Sequence, residues 1–86
     1  MNYRTMKVEG HEVSDAVQRL VVPAFVEKIR AEGAQDFKAM KQLLIEQGTP
    51  ADPAYRAADR LIQKMRKAQV IEWCPGLGWI IGDASK

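Results

Sequence analysis

Residues 52–81, DPAYRAADRLIQKMRKAQVIEWCPGLGWII, contain the change of pattern that decides the fold of this 86-residue chain. Up to Ala68 the apolar residues recur every three or four positions, which predicts an amphipathic helix. From Val70 onward β-branched and aromatic residues dominate, and a loop with one proline and two glycines interrupts them. Two such runs around a proline and glycine loop predict a β-hairpin. We therefore expect a helix followed directly by a two-stranded ribbon.

The segment WCPGLGW, residues 73–79, fits the tip of this hairpin better than a phosphate loop or a metal site. A phosphate loop opens onto a helix N-terminus, whereas a strand is expected after Gly78. A structural metal site takes about four Cys or His ligands, and the chain has one of each. Cys74 is expected to be a reduced, partly buried thiol. We expect Trp73 and Trp79 to face each other across the strands.

Two earlier segments also have helical spacing. Ser14 is expected to cap a first helix that ends at Gly33, with either a kink or a break at Pro23. Asp36 is expected to cap a second helix that stops at Gly48.

The third helix is expected to begin with Asp52 as its N-cap and Pro53 as its first residue. Its apolar side should pack against the hairpin, because two strands alone are only marginally stable in water. The residues expected on this buried side are Ala58, Leu61, Ile62, Met65 and Ala68. The opposite side is polar and rich in Arg and Lys.

The first ten residues alternate only weakly, so we expect an extended or loosely ordered arm there. This arm and a leading helix make up residues 1–22, and residues 23–86 make up the main domain. The leading segment is expected either to pair with a second copy of the chain or to fold back over the domain. Its apolar residues are Tyr3, Met6, Val8, Val13 and Val17.

Composition and charge narrow the function. The chain is 47% hydrophobic and 28% charged, which is typical of a globular domain. It has no apolar run near the roughly 20 residues of a membrane span and no secretory signal, so we expect a cytoplasmic protein with no membrane association. No nucleotide motif, catalytic triad or apolar carboxylate pair can be assembled, and we expect neither an enzyme nor a cofactor.

The net charge of +2 is unevenly distributed. Residues 53–69 carry five basic side chains and one acidic one, whereas residues 1–36 carry five basic and six acidic ones. A local excess of this kind attracts a polyanion even when the whole chain is nearly neutral. A solvated helix face has the same composition, so charge alone leaves both interpretations open.

The order helix, helix, turn, helix and hairpin over residues 23–82 resembles the winged helix-turn-helix family in its small bacterial or phage form. The segments that carry the resemblance are FKAMKQLLIEQG as the first motif helix, DPAYRAADRLIQKMRKA as the recognition-type helix and QVIEWCPGLGWII as strand, wing and strand. Gln69 stands where many members have glycine. The resemblance implies a mainly α fold, with a three-helix core, a two-stranded wing and an extra N-terminal segment.

This resemblance implies sequence-specific binding of double-stranded DNA by a prokaryotic or phage transcriptional regulator, with the third helix in the major groove. The N-terminal half of such a helix reaches base edges. The candidates for these contacts are Tyr55, Arg56, Arg60 and Gln63. The candidates for phosphate contacts are Lys64, Arg66, Lys67, Lys38 and Lys41. Asp59 is unfavourable near phosphates, and we expect it to pair with Arg56 or Lys64 or to accept from a cytosine amine.

The alternative is a winged-helix module that binds a protein rather than DNA. The wing has no Lys or Arg from Val70 to Ile81. Its Trp73, Leu77 and Trp79 either cover the core or form an apolar surface for a partner or a second copy of the chain. One continuous positive stripe along the third helix would favour DNA.

Overall fold

The computed structural model describes all 86 residues as a mainly helical fold with two β-hairpins. The first hairpin consists of β1 (Met6–Val8) and β2 (His11–Val13). Three helices follow, α1 (Asp15–Glu32), α2 (Phe37–Glu46) and α3 (Ala51–Lys67). The predicted set of three helices is therefore confirmed.

The C-terminal hairpin, β3 (Ile71–Cys74) and β4 (Gly78–Ile81), is also confirmed. The strands pair antiparallel with Trp73 opposite Trp79, and the two ring centroids lie 5.1 Å apart in an edge-to-face arrangement. Gln35, before α2, exchanges two backbone hydrogen bonds of 3.0 and 2.7 Å with Trp79. The ribbon is therefore attached to the α1–α2 connection as well as to the end of α3.

Helix α3 occupies the centre of the core, where α2, β1 and β3 all pack against it. The members of its predicted apolar side that are buried are Ala58, Leu61, Ile62 and Met65. Ala68, after the helix end, is only half-buried. Gln69 follows with a positive φ of 60°, a conformation that favours glycine. The backbone of this chain therefore turns here as it would with a glycine.

Helix α1 continues through Pro23, so of the two alternatives expected there, a kink or a break, the break is wrong. Ser14 caps it as predicted, its Oγ accepting a hydrogen bond from the Val17 nitrogen over 3.1 Å, and Gly33 caps its C-terminus. Pro23 has no amide hydrogen to donate to the Arg19 carbonyl oxygen, and both residues lie on the exposed side of the helix. The buried residues on the other side hold the helix together: Val21, Val22, Phe25 and Val26. The expected boundary between residues 22 and 23 falls inside this helix.

The start of α3 differs from the prediction by two residues. Pro50, not Asp52, is the N-cap, and Ala51 is the first helical residue. Proline is tolerated throughout a first turn, because the first amides of a helix have no intrahelical acceptor. Pro53 therefore did not define the start of the helix. Asp36 caps α2 as predicted, with its Oδ1 accepting from the Lys38 nitrogen over 2.9 Å.

Residues 6–13 form an ordered hairpin, which corrects the expected extended or loosely ordered arm. Glu9 and Gly10 have φ values of 49° and 78°, and two consecutive positive φ angles define a tight two-residue hairpin turn. Three of its side chains are buried in the same core as the helices: Met6, Val8 and Val13. Of the two alternatives for this apolar segment, the structure therefore has the one in which it folds back.

We predict that Val8→Ala lowers the free energy of unfolding by about 1–3 kcal/mol, because it removes two buried methyl groups and leaves a cavity. Lys7→Ala changes an exposed neighbour and should alter stability by less than about 0.5 kcal/mol. Urea unfolding of both variants measures the difference. Equal, small effects would show that this hairpin does not stabilise the core.

We predict that Gly78→Ala destabilises the protein by about 2 kcal/mol or more. Its Cβ would lie 2.8 Å from the Gln35 carbonyl oxygen, at a φ of 117°. Gly76→Ala is the matched control, since φ is 82° there and no atom lies within 4 Å of the added Cβ. It should cost about 1 kcal/mol, from backbone conformation alone. Thermal unfolding that ranks the two variants equally would contradict a tight attachment at Gln35.

Candidate functional site

The outward side of α3 brings together the four predicted base-contact residues. Tyr55, Arg56 and Arg60 are exposed and Gln63 is half-buried. Residues three and four positions apart share one side of a helix, and the buried residues of α3 occupy the other side. The four side chains therefore form one accessible surface from the second to the fourth turn of the helix, which we call the α3 face.

Helix α2 borders the α3 face beside Tyr55. The Tyr55 ring packs edge-to-face on Phe37, with 5.1 Å between the ring centroids. The Nζ of Lys41 lies 5.9 Å from the centre of the Tyr55 ring, and Lys38 is exposed one turn earlier on α2. These contacts place Phe37 and Lys41 of α2 beside Tyr55, and Lys38 is exposed next to Phe37 in the chain.

The first hairpin borders the other edge of the α3 face, which the sequence interpretation missed. Arg56 donates from Nε to Glu9 Oε1 over 3.0 Å, and Arg60 donates to the Lys7 carbonyl oxygen over 3.3 Å. Arg56 remains 68% exposed and points away from the core. The one sequence signal for this arrangement is Glu9-Gly10, a pair able to adopt the tight turn that brings β1 beside α3.

The remaining cations lie toward the C-terminal end of α3. Arg66 and Lys67 are exposed and Lys64 is half-buried. Arg66 Nε donates to Gln63 Oε1 over 3.0 Å, so the Gln63 amide nitrogen remains free to donate. The N-terminal part of α3 therefore carries charged side chains of both signs, whereas those of its C-terminal end are all basic, with Glu72 and Asp83 of neighbouring segments lining a second groove beside Arg66.

Acidic side chains interrupt the positive charge along the α3 face. Asp52 and Asp59 are exposed, and neither takes part in any ion pair of the structure. The expected pairing of Asp59 with Arg56 or Lys64 is therefore wrong, and Arg56 pairs with Glu9 instead. A continuous positive stripe is absent from the N-terminal half, where charges of both signs alternate.

A shallow groove of about 670 Å³ lies over the α3 face. The α3 side chains form its floor, Glu9 borders it beside Arg56, and Phe37 borders it beside Tyr55. Trp79 of β4 also lines it. The groove therefore combines two arginines, aromatic rings and three carboxylates, those of Glu9, Asp52 and Asp59.

The three residues of the second hairpin that were proposed as a protein-binding surface differ in exposure. Trp73 is 53% exposed and Leu77 is 68% exposed, whereas Trp79 is 8% exposed and belongs to the core. Trp79 is therefore largely buried and reaches the surface only where it lines the groove, and its ring meets that of Trp73 in an edge-to-face arrangement. Cys74 is half-buried, as expected.

The structure has no group of three or more His, Cys, Asp or Glu side chains arranged to hold a metal ion. None of its helices has both the length and the apolar character needed to cross a membrane. Comparison with models of known protein families gave no match, and comparisons with curated proteins and with solved structures gave none either. The class defined by the structure is a small, mainly helical fold with a two-stranded antiparallel hairpin beside α3.

We predict that Trp79→Ala destabilises the protein by about 3–5 kcal/mol, because it empties a buried aromatic site. Trp73→Ala should cost about 1 kcal/mol, since half of its surface is already in water and mainly the ring–ring contact is lost. Chemical denaturation of both variants gives the two values. A loss for Trp73→Ala as large as that for Trp79→Ala would place both rings in the core.

Proposed function

We propose that this protein binds double-stranded DNA sequence-specifically as a winged helix-turn-helix transcriptional regulator of prokaryotic or phage type. In this proposal α3 lies in the major groove and the β3–β4 hairpin is the wing. The observation that carries the proposal is the α3 face, where Tyr55, Arg56, Arg60 and Gln63 are accessible while the opposite side of the same helix is buried.

The dimensions and chemistry of α3 support this proposal. Its 17 residues span about 25 Å at 1.5 Å per residue, and the major groove admits an α-helix. Arg56 and Arg60 have the geometry for bidentate hydrogen bonds to guanine, and the free amide nitrogen of Gln63 can donate to a base acceptor. The core on the other side of α3 limits its movement, which lowers the entropic cost of ordering this face on a ligand.

The basic side chains around the α3 face are suited to contacts with DNA phosphates. Lys38 and Lys41 flank its start, and Lys64, Arg66 and Lys67 lie at its C-terminal end. Phosphate contacts supply register and salt-dependent affinity, while base contacts supply sequence preference. The proposed wing has no Lys or Arg, so its contribution is limited to backbone amides near Gly76 and Gly78.

The unpaired carboxylates of Asp52 and Asp59 support a binding mode that depends strongly on the DNA sequence and gives low affinity for duplexes of arbitrary sequence. Asp52 and Asp59 repel phosphates, which weakens binding to an arbitrary duplex. A carboxylate accepts a hydrogen bond from the cytosine amine in the major groove, so Asp59 favours a site with cytosine at one position. Discrimination between partners commonly combines such attraction and repulsion.

A protein-binding module is the second candidate, supported by the exposure of Trp73 and Leu77 at the tip of the second hairpin. A contiguous exposed apolar patch commonly marks an interaction surface. This candidate predicts a partner whose capture is lost in Trp73→Ala and retained in Arg60→Ala. The DNA proposal predicts the reverse for a duplex.

We expect the protein to bind a mixed-sequence duplex about two helical turns long, with an affinity that falls linearly with salt on logarithmic axes. Arg60→Ala should weaken this binding by about 1–3 kcal/mol. Fluorescence anisotropy with a labelled duplex over a series of salt concentrations measures both effects.

Arg19→Ala is the matched control, because Arg19 is an exposed arginine of α1 that pairs with Asp15. It removes the same charge from a different surface and should leave most of the affinity intact. Absence of binding up to tens of micromolar protein at low salt, where nonspecific affinities normally lie, would reject the DNA proposal. Equal losses in the two arginine variants would show a general charge effect instead of a site on α3.

A further inference from the structure

The first hairpin holds the Glu9 carboxylate at a defined position beside the α3 face. The positive φ angles of Glu9 and Gly10 close the turn, and the strand register pairs Val8 with His11 directly behind it. Met6 and Val8 of the same hairpin are buried against the core. The backbone at Glu9 is therefore held between paired strands whose apolar side chains are buried, while its own side chain is exposed.

The contact between Glu9 and Arg56 leaves part of the guanidinium accessible. Glu9 Oε1 accepts from Arg56 Nε over 3.0 Å, and the terminal nitrogens of Arg56 make no hydrogen bond to protein. A carboxylate oxygen and a phosphate oxygen are equivalent acceptors for an arginine, since both are anionic and both accept paired N–H donors. Glu9 therefore already occupies one edge of Arg56 with the kind of group that a nucleic-acid backbone would offer.

The first hairpin as a whole is also negatively charged, as a phosphate bound at this place would be. Residues 6–13 contain Lys7 against Glu9 and Glu12, so their formal charge is negative. Arg60 also turns toward this hairpin, donating to the Lys7 carbonyl oxygen over 3.3 Å. Both arginines of the N-terminal half of α3 thus have acceptors within their own chain.

We propose that Glu9 is an intramolecular competitor of phosphate for Arg56 and that it limits nonspecific binding of double-stranded DNA at the α3 face. This inference rests on the proposed DNA-binding function and adds a specificity-determining residue to it. A phosphate that approaches Arg56 must displace the carboxylate and meets its negative charge. A guanine edge that uses the two terminal nitrogens of Arg56 leaves the contact to Glu9 Oε1 in place.

The test compares Glu9→Gln with Glu12→Gln on the mixed-sequence duplex. Both substitutions remove one negative charge from the same hairpin, but Glu12 is exposed and pairs across the strands with Lys7, away from the Arg56 contact. Glu9→Gln should tighten binding about three- to tenfold at low salt. The slope of the logarithm of the binding constant against the logarithm of salt concentration should also become steeper by about one unit, because Arg56 can then neutralise one more phosphate. Glu12→Gln should tighten binding less than about twofold and leave that slope unchanged.

A double variant tests whether the gain acts through Arg56. In an Arg56→Ala background, Glu9→Gln should no longer tighten binding, because the guanidinium it releases is absent. Glu9→Asn serves as a second variant, since asparagine is favoured in this turn and its side chain is shorter and uncharged. Thermal unfolding of each variant checks that the first hairpin remains folded.

The outcomes separate the two proposals. If the unsubstituted protein binds the duplex and Glu9→Gln equals Glu12→Gln, or binds more weakly than the unsubstituted protein, the competitor role of Glu9 is overturned and DNA binding stands. If neither the unsubstituted protein nor Glu9→Gln binds the duplex at low salt, both proposals are rejected. A gain that persists in the Arg56→Ala background also overturns the competitor role, because the effect would then be one of charge alone.

Discussion

The burial of one side of α3 is the constraint on which the rest of this structure depends. α2, β1 and β3 each bury apolar side chains against that surface, and neither two-stranded hairpin would be stable alone. Three of the four alanines of α3, Ala54, Ala57 and Ala58, are completely buried. The small side chains allow neighbouring elements to approach closely. All of these elements pack against the same side of α3, so its opposite side remains accessible to solvent.

The two hairpins give the accessible side of α3 its character. The second hairpin is attached to Gln35 through the backbone of Trp79, and it contributes Ile71 and Trp79 to the core. The first brings Glu9 and the Lys7 carbonyl group to the two arginines. The N-terminal part of α3 therefore lies among side chains of both charges, whereas the charged side chains of its own C-terminal end are all basic.

Regulation of such a surface by opening of the first hairpin is unfavourable, because Met6, Val8 and Val13 belong to the core. Exposing them would cost about 0.8 kcal/mol for each buried methylene equivalent. Rotation of the Glu9 side chain disturbs none of these contacts. An exposed ion pair contributes little to stability, so this side chain can exchange between Arg56 and water without affecting the fold. Stability and access to the α3 face are thus largely independent.

The sequence by itself determined the three helices, the second hairpin and the buried and accessible sides of α3, because local periodicity and turn residues encode these features. It also located Tyr55, Arg56, Arg60 and Gln63 on one side of one helix. Only the tertiary structure decided that residues 6–13 form a hairpin against α3, that α1 continues through Pro23 and that Trp79 is buried. Those outcomes depend on contacts between residues distant in the chain, such as Glu9 and Arg56, which no local pattern specifies.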